Sequence, residues 1–179
     1  DTVGALFAGF TVDSLDDPLW PSQGGRLGAQ ADWNLDDLGA TRPYWRLRFE
    51  GRLGRGLGRK AAMQLDGLFG LSGQDLPVYD HFRVGGPTLV PGYRFEELKG
   101  AQAMAGSVSV GYAVLGSLRL VGRAGAGNVF AKTGDITFSH LRWGVATGLY
   151  FPTPVGPASL ELGVRDGGKT LVSFALGWY

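Results

Sequence analysis

The chain has 179 residues, no cysteine, a formal net charge of +1 and a charged fraction of 18%, which leaves neither a basic field for nucleic acid nor an acidic tail. Glycine occurs 31 times, far above the usual share of roughly 7%, but it has no G-X-Y period and is interleaved with Leu, Val and aromatics, which excludes collagen and low-complexity disorder. No run approaches the roughly 18 to 20 apolar residues of a transmembrane helix, and the chain opens at Asp1 without the basic and apolar regions of a secretory leader, so localisation is argued from the body of the chain.

Taken in chain order, segment after segment alternates with a period of two, the signature of a strand with two unlike faces. After an opening run from Val3 to Asp13, Leu27, Ala29, Ala31, Trp33 and Leu35 oppose Gly28, Gln30, Asp32 and Asn34. Trp45, Leu47, Phe49, Gly51 and Leu53 then oppose Arg46, Arg48, Glu50 and Arg52, and Met63, Leu65, Gly67 and Phe69 oppose Gln64, Asp66, Leu68 and Gly70. Beyond a long interruption, Val108, Val110, Tyr112 and Val114 oppose Ser107, Ser109, Gly111 and Ala113, and Leu118, Leu120, Gly122 and Ala124 oppose Arg119, Val121, Arg123 and Gly125. A less regular run from Trp143 to Phe151 precedes Leu160, Leu162 and Val164 against Ser159, Glu161 and Arg165, and the last strand sets Val172, Phe174, Leu176 and Trp178 against Ser173, Ala175 and Gly177. This is about nine strands of roughly 9 to 13 residues, the length a tilted strand needs to cross a bilayer. No amphipathic helix is predicted.

Which face meets water decides the class. A soluble β domain carries Lys and Glu on its polar face, whereas here that face is Gly, Ser, Ala, Arg, Asp and Gln, and Lys occurs at only four places. A crowded wet lumen explains that composition, and Trp20, Trp33, Tyr44, Trp143, Tyr150 and Trp178 fall near strand ends, where interfacial girdles belong. The fold class expected is all-β: an antiparallel transmembrane β-barrel, with Leu47, Phe49, Leu65, Val110, Leu120 and Leu162 facing lipid and Arg46, Arg48, Glu50, Gln64, Asp66, Arg119, Arg123 and Glu161 facing the lumen. The arginines are expected to pair with Glu50, Asp66, Asp32 and Glu161 across strands.

The interruption at 74–100 has no clean strand of its own and is far longer than an ordinary connection. Its aromatic and apolar content, with sharp turns at Gly85-Gly86 and Pro91-Gly92, predicts a hairpin that re-enters the barrel. Contacts from Arg83 or Arg94 to a lumen carboxylate such as Asp66, and packing of Tyr93, are expected to hold it.

The residues of this loop resemble the BamA-type superfamily of outer-membrane assembly and secretion barrels. The sequence Phe82-Arg83-Val84-Gly85-Gly86-Pro87-Thr88-Leu89-Val90-Pro91-Gly92-Tyr93 is similar to that family's long sixth loop, with its Gly-Gly pair followed by Val-Arg-Gly-Phe or Val-Arg-Gly-Tyr. Upstream, Pro21-Ser22-Gln23-Gly24 resembles the family's Pro-x-x-Gly connector, and downstream, Gly127-Asn128-Val129-Phe130 resembles its Gly-Asn-Val-Trp segment. Two positions depart: the loop Arg is Pro91, and the acidic wall residue that holds it in the family is Gly125. The resemblance implies a bacterial outer-membrane location over residues 1–179, contact with the bilayer and lipopolysaccharide, and a C-terminal signal for the barrel assembly machinery in Phe174, Leu176, Trp178 and Tyr179. It also implies the C-terminal strands of a roughly 16-stranded barrel, the alternative being a small barrel of about eight strands that pairs with a second copy as a homodimer.

Three functions stay open: insertion or export of a polypeptide substrate, a barrel anchor or exit route for an attached patatin-like phospholipase (Gly92-Tyr93-Arg94-Phe95-Glu96-Glu97 and Pro152-Thr153-Pro154-Val155-Gly156-Pro157 resemble that branch), or a structural pore. No chemistry is expected in the chain itself. It has no G-x-S-x-G elbow, only His81 and His140 as histidines, no metal-ligand spacing and no cofactor motif. The Gly-rich run Gly51 to Lys60 lacks the helix a phosphate loop requires and reads as a strand end and turn.

Overall fold

The computed structural model describes residues 4–73 and 76–177; Trp178 and Tyr179 of the expected assembly signal lie outside the described residues. Nine strands form one antiparallel meander: β1 (Ala5–Asp13), β2 (Gly25–Asn34), β3 (Tyr44–Gly56), β4 (Ala61–Ser72), then, after a loop containing the short hairpin β5 (Phe82–Val84) and β6 (Leu98–Gly100), β7 (Gln102–Leu115), β8 (Leu118–Phe130), β9 (Arg142–Thr153), β10 (Gly156–Arg165) and β11 (Thr170–Leu176). The expected strands are all present. The loop differs from its strandless expectation, because Phe82, Arg83 and Val84 pair with Gly100, Lys99 and Leu98 and so satisfy backbone groups that would otherwise be buried unpaired.

The alternation read from the sequence is the alternation of burial. Along β4 every even residue from Ala62 to Ser72 is buried and every odd one is not. Strand β7 continues the pattern, with Ser107, Ser109 and Gly111 buried between exposed Val108, Val110 and Tyr112. The buried face is covered by the long loop and carries most of the polar groups, including Gln64, Asp66, Ser107, Ser109, Arg123, Ser159 and Glu161. Leu65, Val110, Leu120, Leu160, Leu162, Val172, Phe174 and Leu176 stand exposed on the other face. That is the reverse of a soluble sheet and the arrangement of a barrel wall between lipid and a wet interior.

The aromatic girdle is smaller than expected. Trp33, Trp45 and Trp143 are exposed on the apolar face, but Tyr44 and Trp20 are buried, and Tyr150 points to the inner face beside Trp20. Strand parity explains Tyr150, which shares its face with Gly148 and Gly144, and partners in the loop and connector claim the other two.

Because the strands are sequential and antiparallel, loops alternate between the two ends of the sheet. The long loop shares one end with segments 35–43, 131–141 and 166–169; the connector 14–24 shares the other with the tight turns and with the end of β11. Strands β1 and β11 form the sheet's two edges. We expect Leu120→Arg, on the lipid face, to lower folding stability by about 2–4 kcal/mol if that site lies near the bilayer midplane; urea unfolding in lipid vesicles measures it, and an unchanged midpoint would contradict the assigned face.

Candidate functional site: an inward-folded loop seated on glycines

The main hydrophobic cluster is the contact between the loop and the wall. Phe82, Val84, Val90 and Tyr93 of the loop pack with Tyr44, Leu68, Leu76, Ala103 and Ala105. Val90 is 0% and Tyr93 2% exposed. Phe82 lies on the bare backbone of Gly70, where a Cβ would come within 2.5 Å of its ring. Burying each such side chain is worth about 1.5–3 kcal/mol, whereas the loop's half-exposed ion pair, Arg83 with Glu96 at 2.7 Å, is worth about 0–1 kcal/mol. Apolar burial therefore holds the loop in place.

The Gly85-Gly86 and Pro91-Gly92 turns are formed as expected. Gly85 and Gly86 have φ of 130° and 93° and Gly92 of 78°, angles that favour glycine, and Val90 N–H donates to the Gly86 carbonyl at 3.2 Å. Beyond this turn the loop meets three neighbouring strands at glycines. A Cβ on Gly125 of β8 would stand 2.9 Å from Pro91 Cδ and would overlap the Leu89 carbonyl; one on Gly144 of β9 would overlap the Pro91 carbonyl; one on Gly163 of β10 would stand 2.7 Å from Gly92 Cα. Gly125 and Gly144 are register partners, so these positions make a side-chain-free track across the wall. The two positions that depart from the family pattern, Pro91 and Gly125, are thus neighbours in space. Main chain is packed directly on main chain there.

Further contacts fix the rim. The Tyr93 hydroxyl donates to Asp166, Arg165 stacks over the Tyr93 ring at 4.4 Å, and Arg165 Nη1 reaches Glu97 Oε1 at 2.5 Å. Ser107 Oγ donates to the Thr88 carbonyl. Burial and the Asp166 hydrogen bond push the Tyr93 phenol above its usual value, and the Arg165 hydrogen bond holds the Glu97 carboxyl below the usual carboxylate range. The expected contacts of Arg83 and Arg94 to Asp66 are not made. Asp66 is already engaged by Arg52 at 2.6 Å and Gln64 at 2.8 Å, and Arg83 turns to Glu96 within the loop.

The lumen charges are paired largely as expected. Arg46 binds its register partner Asp32 at 2.8 Å and reaches Asp80 of the loop at 3.5 Å, and Arg52 binds its register partner Asp66. Arg48 departs from the cross-strand expectation, since its carboxylate is Glu50, two residues along its own strand. Arg123 on β8 meets Glu161 on β10 at 3.2 Å, across Gly148 of β9, where a Cβ would stand 2.6 Å from Glu161 Cγ. Both of these side chains are nearly fully buried, so removing one alone is expected to be costly, about 3–5 kcal/mol. Arg119 makes no ion pair among the described residues.

A second inward element was missed as such in the sequence: the connector 14–24. Asp16 accepts from Ser22 and Gln23 N–H at 2.8 and 3.0 Å, and Asp17 accepts from Leu19 and Trp20 N–H at 2.7 and 2.8 Å. This rigid turn drives Trp20 onto Gly111, where a Cβ would stand 2.5 Å from indole Cε2, and Pro21 onto Gly54. The Trp20 ring lies 6.3 Å from Tyr150, with the Arg123 guanidinium 5.9 Å from Trp20 and 5.0 Å from Tyr150. The signal for it was the Pro-x-x-Gly run together with the glycines Gly54 and Gly111 inside the strands it faces.

An apolar outer face, a charged inner face and two segments folded against that inner face define a transmembrane β-barrel wall with internal plugs. The Omp85 superfamily domain matches residues 4–177, and the chain belongs to that superfamily, of the bacterial outer membrane. The fold is similar to the crystal structure of BamA from Haemophilus ducreyi lacking POTRA domains 1–3, with a TM-score of 0.77 at 13% identity over 96% of this chain. The chain spans 42% of that crystallised chain, itself a truncated form. No curated protein sequence matches it.

Two outcomes are expected of the loop seat. Gly144→Ala, which pushes a methyl into the Pro91 carbonyl, and Tyr93→Ala, which empties a buried aromatic site at about 3–5 kcal/mol, should both speed protease cleavage after Arg83 and Arg94 in the folded barrel, and Pro91→Ala should do so less. Because the Glu97 carboxyl is depressed in the folded state, its contribution is present above the ordinary Glu value of 4.5 and is lost as pH falls through the lowered value. Loop protection should therefore hold from pH 7 to about 5 and weaken only in stronger acid, and Glu97→Gln should abolish that acid step.

Proposed function

We propose that this chain is part of the wall of a larger closed barrel that inserts polypeptides into the outer membrane or translocates them across it, with the loop and the connector as the elements that close the lumen and must yield to a substrate. The observation that carries this is the long loop seated inside the wall: a purely structural barrel has no need of an internal hairpin built on a glycine track. The larger barrel is supported by the two sheet edges, whose backbone groups must be paired in lipid, and by the 42% coverage of the BamA structure. About sixteen strands in one chain fit this reading better than a homodimer. Contact with the bilayer follows from the apolar face, and contacts with lipopolysaccharide and with the barrel assembly machinery, the latter through the Phe174 and Leu176 strand, belong to the same reading. In it the chain has no catalytic chemistry of its own.

The test is reconstitution of the full-length protein in lipid vesicles with an unfolded outer-membrane barrel as substrate. Faster substrate folding than in empty vesicles is expected, as is its loss when Glu97→Cys and Arg165→Cys are cross-linked to tether the loop. These 179 residues contain no cysteine, so within them the cross-link joins only the two introduced thiols. No acceleration with either form would overturn the reading and favour a barrel that anchors or delivers an attached enzyme.

A further inference from the structure

Among the described residues, the outward positions of the nine sheet strands carry a single charged side chain, that of Arg55, the penultimate residue of β3. Register fixes its face: Arg55 pairs with Met63, and Met63 with Val110. On that face Leu53, Leu65, Val110 and Tyr112 stand exposed. The neighbouring Gly54 points inward, where Pro21 of the connector packs on it. A lipid-facing arginine is costly at the bilayer midplane and tolerated only towards the interface, so the end of β3 marks the headgroup region.

The turn that follows adds to this charge. Arg59 and Lys60 are exposed, and no acidic residue occurs between Leu53 and Leu65. None of the three cations has an ion pair or a side-chain hydrogen bond among the described residues. The backbone that presents them is fixed, because Leu57 N–H donates to the Ala61 carbonyl at 2.8 Å and Ala113 N–H to the Lys60 carbonyl at 2.7 Å. The carboxylates at this end do not occupy the outer face. Asp13 belongs to the inward row of β1 and stands 3.9 Å from Arg26. Asp16 accepts from Ser22 and Gln23, and Asp17 from the Leu19 and Trp20 N–H groups, within a connector that packs on the inner face.

Fixed outward cations beside an apolar surface fit a ligand with an anionic head and an apolar tail. Arginine binds phosphate oxygens through two parallel hydrogen bonds. Tyr112, register partner of Ala61 next to Lys60, is an amphipathic ring of the kind that sits at headgroup level, and Leu53, Met63 and Val110 border acyl chains. Tight turns gather at this end of the sheet and long loops at the other, which makes this the periplasmic side and its leaflet the phospholipid one. We propose that the β3–β4 turn and the adjoining part of β7 form a binding site for an anionic phospholipid. Arg55 holds its phosphate, and Arg59 and Lys60 select a net negative headgroup over a zwitterionic one. The site rests on the barrel's place in the bilayer and not on polypeptide movement, so its failure leaves that reading untouched.

The experiment is titration of the full-length protein, in a neutral detergent, with dioleoylphosphatidylglycerol or dioleoylphosphatidylcholine, bound lipid being counted by native mass spectrometry. Phosphatidylglycerol is expected to bind at least about tenfold more tightly than phosphatidylcholine. Arg55→Leu, which suits a lipid-facing position, should weaken phosphatidylglycerol about fivefold, and the triple substitution Arg55→Gln, Arg59→Gln and Lys60→Gln should bring it to about the level of phosphatidylcholine. Lys132→Gln with Lys169→Gln, at the opposite end of the sheet, should leave the preference unchanged. Heat-modifiable migration shows that each variant is folded. Unaltered binding in Arg55→Leu would overturn Arg55 as the phosphate ligand. Equal binding of the two lipids by the unmodified protein, a preference that survives the triple substitution, or an equal loss in the Lys132 and Lys169 variant would overturn the site.

Discussion

Contact between two main chains, the Val90-Pro91-Gly92 turn and the glycines of β8, β9 and β10, is the constraint on which the interior depends. A backbone can approach a sheet this closely only where the sheet has no Cβ, and Gly125, Gly144 and Gly163 provide that on three successive strands. Once the turn is seated, Val90 and Tyr93 are carried to full burial, Tyr93 reaches Asp166, and Glu97 comes within reach of Arg165. That positions 91 and 125 carry no ion pair follows from the same geometry. An acidic side chain at 125 would overlap the Leu89 carbonyl, and a charged residue at 91 would face a wall with no partner at that position, so the two changes are consistent only together.

Glycine does comparable work elsewhere on the inner face. Gly70 receives Phe82, Gly111 receives Trp20, Gly54 receives Pro21, and Gly148 lets Glu161 cross to Arg123. Part of the high glycine content thus lies where an inward segment or a long side chain must pass close to the wall. Strand interiors ordinarily lose stability at glycine; here the loss is offset by what packs onto the vacated surface.

The outer face imposes a different rule. With lipid on that side, there is no apolar core to build beyond the wall itself, so the apolar residues of alternate positions remain exposed to the bilayer and the protein's packed core forms between the inner face and the plugs. The backbone of every strand must then be paired within a closed barrel, and β1 and β11, the edges of the sheet among the described residues, are where further pairing is required.

The sequence determined the strands, their faces and the class, because a period of two survives any tertiary arrangement and a Lys-poor polar face distinguishes a lumen from a water-exposed surface. It also located the loop, and its turns at Gly85-Gly86 and Pro91-Gly92 were legible because positive φ restricts the residue type. Tertiary structure alone decided what the loop rests on. Gly125, Gly144 and Gly163 are far apart in the chain and become one track only through strand register, and Tyr44 and Trp20, placed near strand ends by spacing, are buried because partners from the loop and connector meet them there. Likewise the expected Arg83 or Arg94 contact to Asp66 gave way to Arg52, since a register partner on the adjacent strand reaches the carboxylate without ordering a loop side chain. A one-dimensional pattern records what each residue is beside on its own strand, and the seat of the loop is made by residues from three strands at once.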